Sequence, residues 1–469
     1  MNSFASTISK AFYGTFVHSI SIRELEFVKH ALLFVDNHGV IVKIIKDLNQ
    51  SQLQEALDGV GEDKVILLNN DQFIIPGFVD THIHASQYSY CGDGQDTPLL
   101  EWLNTLTFPH ETKFKDADYA RQIYTKAVTR SLRNGTTSAC WFSTVHLDAT
   151  KELVDVILKQ GQRAYVGKVN MDRNSPDFLT ETTEASVRDT RSFIDYVRQA
   201  VINSTRSNEN IIDSDKKNDT NTAPTRTPLV MPAITPRFAI SCTSELLTEL
   251  GKLAQEYDIP IQTHLCETSQ EIESTISLFP TFTSYTAVYK GHGLLNSRSI
   301  MAHCVHMQDE EWDLIKETNA GVSHCANSNF NIRSGMANVR KMIDDLGLKK
   351  IGLGTDIAAG YSPSILEAIR CSRTCSIARD PQRSLSIPEL FYLATLGGAR
   401  VMELGSTIGN FEVGKEFDAI IVNTTASRSP IDIFPHDSIE SKFKKYLFVG
   451  DDRNNERIYI QGKQVRLPE

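Results

Sequence analysis

The stretch GFVDTHIHASQ, residues 77–87, runs an apolar segment of strand type into two histidines one residue apart. Side chains alternate faces along a strand, so His82 and His84, at i and i+2, point the same way. Taken alone, the pair fits a packed strand as well as half of a metal site. The downstream sequence separates the two readings. Seven further short apolar runs come after it: TTSACWF (136–142), RAYVGKVN (163–170), LVMPAITPRF (229–238), PIQTHL (260–265), SIMAHCV (299–305), GVSHCANSN (321–329) and KIGLGTD (350–356). Amphipathic helical stretches lie between them. DYARQIYTKAVTRSLRNG ends on an Asn-Gly stop, and TSELLTELGKLAQEYD offers Thr243 or Ser244 as a cap. Eight strand-and-helix repeats favour a closed (β/α)8 TIM barrel over an open doubly wound sheet.

The ends of the chain read differently. AFYGTFVHS, ALLFVDNHGVIVKII and KVILLNNDQFIIP precede the barrel, and FDAIIVNTT, KKYLFVGD and RIYIQGKQVRL come after it; all six read as β-rich. The expected organisation is a barrel over 76–404 and one small β domain built jointly from 1–75 and 405–469. The segment 203–228, NSTRSNENIIDSDKKNDTNTAPTRTP, is polar and poor in large apolar residues, and is expected to be a mobile surface insert.

Composition narrows the function. The chain has 469 residues, 41% of them hydrophobic, with 48 basic against 58 acidic residues and a net charge of −10. Length and apolar content allow a large core. The absence of clustered Lys and Arg argues against general nucleic-acid or membrane-surface binding. No stretch has the length and apolarity of a membrane span or a signal peptide, so a cytoplasmic location is expected. Eight scattered cysteines read as reduced thiols.

In a parallel barrel the active site forms at the C-terminal ends of the strands. The fifth run closes on His264, with Glu267 three residues on; the sixth closes on His303 and the eighth on Asp356. Four strand ends thus deliver imidazoles or carboxylates to one rim. Such a set suits a Zn²⁺ ion with an open position for water. His82, His84 and His264 are the natural nitrogen ligands, and Asp356 is the oxygen ligand or the acceptor of a proton from water. A bound metal lowers the pKa of its water to about 7. Glu267 reads as a proton shuttle to a substrate nitrogen and a leaving amine. His303 reads as a group that polarises an oxyanion or orients the water. His324, in the seventh run, fits a structural role. GNFEVGK (409–415) resembles half of a phosphate-binding loop, but Glu416 stands where Ser or Thr would hold Mg²⁺.

PGFVDTHIHASQY, LLEWLNTLTFPHE, TPRF, QTHLCE, YTAVYKGHGLL, MAHCVH, HCANSN, IGLGTDIAAGYS and EVGKEFDAIIV together resemble the guanine deaminases of the amidohydrolase superfamily over nearly the whole chain. The resemblance implies an amidohydrolase-type barrel with a small β-sandwich, and hydrolysis of guanine to xanthine and ammonia. It implies one zinc ion per subunit on His82, His84, His264 and Asp356, with Glu267, Asp356 and His303 carrying the proton chemistry. Gln87 and Arg237 match positions that hold the purine, Trp102, Leu103 and Phe238 are implied to line the pocket, and a homodimer is implied. A guanidinium beside the purine C6 carbonyl and an amide near the ring nitrogens would select guanine over adenine. No lysine ends the fourth run to bridge a second metal. Cys266 and Ala326 depart from the family pattern, where Ser and Pro are usual. The alternatives are another mononuclear deaminase, acting on a related purine, pyrimidine or triazine, and a non-enzymatic scaffold relative.

Overall fold

The computed structural model describes residues 6–212 and 226–466. The chain opens with β1 (Ile8–Ser21), β2 (Glu24–Asp36), β3 (Ile41–Ile45), β4 (Val65–Leu67) and β5 (Gln72–Pro76). Gly77 alone separates β5 from the first barrel strand. Eight parallel strands then close on themselves: β6 (Phe78–His84), β7 (Thr136–Phe142), β8 (Arg163–Asn170), β9 (Val230–Pro236), β10 (Ile261–Leu265), β11 (Ser299–His303), β12 (Gly321–His324) and β13 (Ile351–Leu353). Each corresponds to one of the eight apolar runs. Closure is made by Leu353 of β13 beside Asp80 of β6.

After the barrel, β14 (Ala419–Asn423), β15 (Asn455–Ile460) and β16 (Lys463–Gln464) return to the N-terminal strands. Their sheet runs β16-β15-β14-β5-β1-β2-β3, with β4 on β1, so both chain ends build it. Arg163, at the start of β8, ties barrel to sheet: its Nε donates to Asp418 at 2.9 Å and its Nη2 to Glu416 at 2.6 Å, all three side chains being buried.

The helices obey simple capping and packing rules. Ala117–Arg133 ends at Asn134, and Gly135 takes φ +83°, a left-handed turn that glycine enters without strain. Ser244–Tyr257 is capped by Thr243, whose Oγ1 accepts from Leu246 N at 3.1 Å. That helix buries Leu246, Leu247, Leu250, Leu253 and Ala254, the stripe that packs it on the barrel.

Two expectations are corrected. KKYLFVGD is not a strand but the end of the helix Ile439–Val449. Phe443, Tyr446 and Leu447, at i, i+3 and i+4, bury one helical face, and Ser438 caps the start through Ser441 N. The polar segment does not begin as a loop at residue 203 either, because the helix Thr183–Ile212 carries on through it. The insert expected to be mobile otherwise falls largely on 213–225, outside the described residues. No helix among the described residues is long and apolar enough to cross a membrane.

Candidate active site

The C-terminal rim of the barrel gathers His82 and His84 from β6, His264 from β10, His303 from β11, and Asp356, three residues beyond β13. Asp356 is the hub. Its Oδ1 lies 3.3 Å from His82 Nε2 and 3.2 Å from His84 Nε2, and its Oδ2 lies 3.7 Å from His303 Nε2. His264 Nε2 is 3.3 Å from His84 Nε2. Ligand atoms of His82, His264, His303 and Asp356 all lie within 4.8 Å of one another. His303 is therefore as central geometrically as His84, although the sequence pattern gives it a supporting part.

The far sides of the rings decide what these nitrogens offer. His82 Nδ1 meets Gln262 Oε1 at 2.8 Å, His264 Nδ1 meets the Arg237 carbonyl at 2.5 Å, and His303 Nδ1 meets Asn329 Oδ1 at 2.8 Å. Each of those partners can only accept, so each Nδ1 carries the hydrogen and each Nε2 turns a lone pair inward. Nε2 of both His82 and His303 is buried without a hydrogen-bond partner among the described residues. Lone pairs facing a carboxylate at this range repel unless a cation lies between them, and neutral imidazoles plus one carboxylate are zinc-type donors. The residues present fit a divalent ion.

The titration tendencies agree with that fit. Burial pushes His84 and His303 down to about 4, and it lowers His264 well below the ordinary range, helped by the neighbouring His82, His84 and His303. These three rings are neutral at pH 7, the form a metal requires. Backbone strain also collects here: Cys266, His303, Cys304 and Asp356 take φ of +49°, +72°, +49° and +47°. Non-glycine residues accept such angles only where the surroundings enforce them, at about 1–3 kcal/mol each.

Glu267 lies two residues beyond β10. Its Oε1 accepts from Ser334 Oγ at 3.1 Å and lies 3.4 Å from His303 Nδ1. Burial, then the charges of Asp356 and Glu271, raise its carboxyl well above the usual range, which favours a protonated acid. Glu271 fixes the turn by accepting the Glu267 N–H at 2.8 Å, and Tyr285 Oη donates to Glu271 at 2.8 Å.

Beside these groups opens a cavity lined by Gln87, Trp102, Leu103, Arg237, Phe238 and Ile332 together with His84, His264, Glu267 and Asp356. All five residues expected to hold a ligand line it. Gln87 Oε1 accepts from Ala358 N at 2.9 Å, which fixes the amide with Nε2 as the end turned away from Ala358. His324 is buried on β12, and neither ring nitrogen has a partner among the described residues. Lys415 of the GNFEVGK segment is tied to Gly405 O and Asn410 Oδ1.

Several contributors are not singled out in the sequence analysis. Gln262, Asn329 and Ser334 orient the histidines and Glu267. Asp80, two residues before His82, accepts from Thr355 N and Oγ1 at 3.0 and 2.5 Å and so anchors the turn that carries Asp356. Glu111 pairs with Arg237 inside the barrel mouth, Oε2 to Nη1 being 2.8 Å. For Asp80 and Gln262 alone a clue existed, since both stand two places before a ligand-type histidine and therefore on its face.

The amidohydrolase family model matches residues 73–465. The guanine deaminase of Dictyostelium discoideum is 43% identical over 99% of this chain and 99% of its own length, and that of Homo sapiens is 42% identical over 98% and 97%. The chain belongs to the guanine deaminase family of amidohydrolases. Solved structures agree with this membership. Guanine deaminase from C. acetobutylicum, with guanine bound in its active site, superposes with a TM-score of 0.83 at 35% identity, covering 97% of this chain and 100% of that one. The E. coli guanine deaminase gives a TM-score of 0.81 at 31% identity over 98% and 99%.

Proposed function

We propose that this chain hydrolyses guanine to xanthine and ammonia, with one zinc ion held by His82, His84, His264 and Asp356. The observation that carries the proposal is a single cavity whose lining includes Gln87, Arg237 and Phe238 as well as Glu267, Asp356 and two of the histidines. Full-length relatives bearing that activity in their names, and guanine in the site of a neighbour at 35% identity, support it.

The ion, when bound, supplies the positive charge that makes water acidic enough to react at neutral pH. The side chains do the rest. Arg237 donates to the purine 6-oxo oxygen, and the Gln87 amide meets the ring nitrogens. Phe238, Trp102 and Leu103 pack on the ring and exclude bulk water. Glu267, held as an acid by its surroundings, gives its proton to N3 as the water oxygen adds to C2, while Asp356 takes a proton from that water. His303, whose inward Nε2 can only accept, orients the attacking water. Glu267 then takes the remaining proton from the hydroxyl on C2 and delivers it to the departing amine as the C2–oxygen double bond forms, and the proton held by Asp356 returns to Glu267 to restore the acid. In net terms the two protons of the water supply N3 of xanthine and ammonia, which balances the reaction.

Neighbours described as an adenosine deaminase and a triazine hydrolase, at 21% and 16% identity, share the fold alone. Two assays test the reading. In a panel of guanine, adenine, cytosine and a triazine, ammonia is expected from guanine; release from adenine but not from guanine would refute it. Glu267→Gln is expected to keep its metal and lose about 10²–10⁴-fold in turnover, and near-normal turnover would remove Glu267 from its role. The eight free cysteines, six of them buried, suit a reducing compartment and support a cytoplasmic location. A homodimer belongs to the same proposal on family resemblance, and solution mass tests it.

A further inference from the structure

Arg237 is the cation of the cavity, and it shares that cavity with the Asp356 carboxylate and the Glu267 acid. A guanidinium free to swing would be drawn to Asp356, since opposite charges attract strongly in a poorly solvated site. It is held by something else. Nη1 of Arg237 donates to Glu111 Oε2 at 2.8 Å, with the two side chains only 4% and 2% exposed. The guanidinium also lies over the Phe108 ring, 5.3 Å from its centroid, and Nη1 is 3.6 Å from Met171 Sδ. Phe108 and Glu111 belong to one short helix, Phe108–Glu111, so a single turn supplies both the flat surface beneath the guanidinium and its counter-charge. The Arg237 carbonyl, meanwhile, holds His264 Nδ1. Residue 237 thereby links the metal-side histidine to the ligand-facing guanidinium, and Glu111 fixes the second of these.

We propose that Glu111 is a positioning residue for ligand selection: it pins the guanidinium of Arg237 so that the remaining N–H groups meet the 6-oxo oxygen of a purine. The proposal rests on the purine reading of the cavity and adds to it the group that sets preference for 6-oxopurines. A buried guanidinium paired on one side has a fixed plane and fixed donors, and the fixed geometry is what converts an attraction into a discrimination. Without Glu111 the same arginine can turn to Asp356, and the oxopurine loses its partner.

The test compares two ligands that differ in one oxygen. Binding of hypoxanthine, which carries the 6-oxo group, and of purine, which lacks it, is measured by calorimetry on the metal-loaded full chain and on Glu111→Gln, Glu111→Ala, Arg237→Ala and the double Glu111→Ala/Arg237→Ala. The original chain is expected to prefer hypoxanthine. Glu111→Ala should weaken hypoxanthine by about 10- to 100-fold, the range of one charge-assisted hydrogen bond, while purine changes less than about twofold. Glu111→Gln, which keeps an acceptor without the charge, should fall between, and it carries the test if the alanine variant does not fold. The double variant should bind hypoxanthine no worse than Arg237→Ala. Equal weakening of both ligands in the Glu111 variants, an unchanged preference, or no preference in the original chain would overturn the role of Glu111. Guanine turnover by the original chain is assayed separately, so that failure of the deaminase reading shows as absent ammonia release whatever the binding ratio.

Discussion

Replacing Gln262 with leucine isolates what orients the metal-side histidines. Gln262 is buried on β10, and its Oε1 receives the His82 Nδ1 hydrogen at 2.8 Å. Leucine fills nearly the same space but accepts nothing, so His82 keeps a buried N–H without a partner or turns its ring. A buried donor left unpaired costs about 1–3 kcal/mol. Loss of such a ligand-orienting partner lowers metal affinity by about 10- to 100-fold, which is about 1.4–2.7 kcal/mol, so the two figures agree. The fold itself should not suffer equally, because Gln262 Nε2 has no hydrogen-bond partner among the described residues and leucine removes that buried orphan as well. Gln262→Leu is therefore expected to lose metal to a competing chelator at 10- to 100-fold lower chelator concentration, with the metal-free protein melting within a few degrees of the original. Unchanged metal affinity, or a metal-free form destabilised as much as the metal-bound one, would refute the reasoning.

The geometry leads to two further outcomes. A Cβ at Gly354 would lie 2.9 Å from His82 Cβ, 2.6 Å from Ser323 Oγ and 2.8 Å from Cys325 Sγ; Gly354→Ala is expected to displace His82, lower metal content and cost about 1–3 kcal/mol in thermal unfolding. Burial would raise the Glu389 carboxyl, but the two-pronged contact with Arg340 at 2.7 and 2.9 Å and hydrogen bonds from Ser386 outweigh it and bring it down to about 2. A carboxyl depressed by folding stabilises fully above its unfolded value near 4.5 and loses that contribution as pH falls toward 2. The melting-temperature gap between the original chain and Glu389→Gln should accordingly be widest above about pH 5 and shrink between about pH 4.5 and 3, whereas a gap constant across that range would contradict the pairing.

The barrel was legible because each strand is a short apolar run closed by turn residues, and because a strand end is where a polar side chain stands out against its own segment. His82, His84, His264, His303, Glu267 and Asp356 were readable for that reason. Glu111 was not: it closes the LLEWLNTLTFPHE stretch in a short helical turn, where nothing local gives it a role, and only barrel closure brings it to Arg237, 126 positions away. Gln262, Asn329 and Ser334 are ordinary polar residues until the histidines and Glu267 they serve are placed. The misread KKYLFVGD shows the opposite limit. Its apolar and aromatic cluster is short enough to suit a strand, and its helical character rests on Phe443, one residue before the quoted run, and on the Ser438 cap further upstream. Residues 203–212 were misjudged because low apolar content says little about a helix already propagating from Thr183, where extension needs less than initiation.

The proposed function joins a metal, a proton-carrying glutamate and a guanine cavity in one reaction, and a single assay reads all three. Xanthine and ammonia formation from guanine is measured in the purified full chain as isolated, after removal of metal by a chelator, and after stoichiometric Zn²⁺ is returned. The expected result is equal amounts of xanthine and ammonia at the start, loss of turnover on chelation, and recovery with one zinc ion per chain. Turnover that persists in protein shown to be free of metal, or none on guanine when zinc is bound, would contradict it.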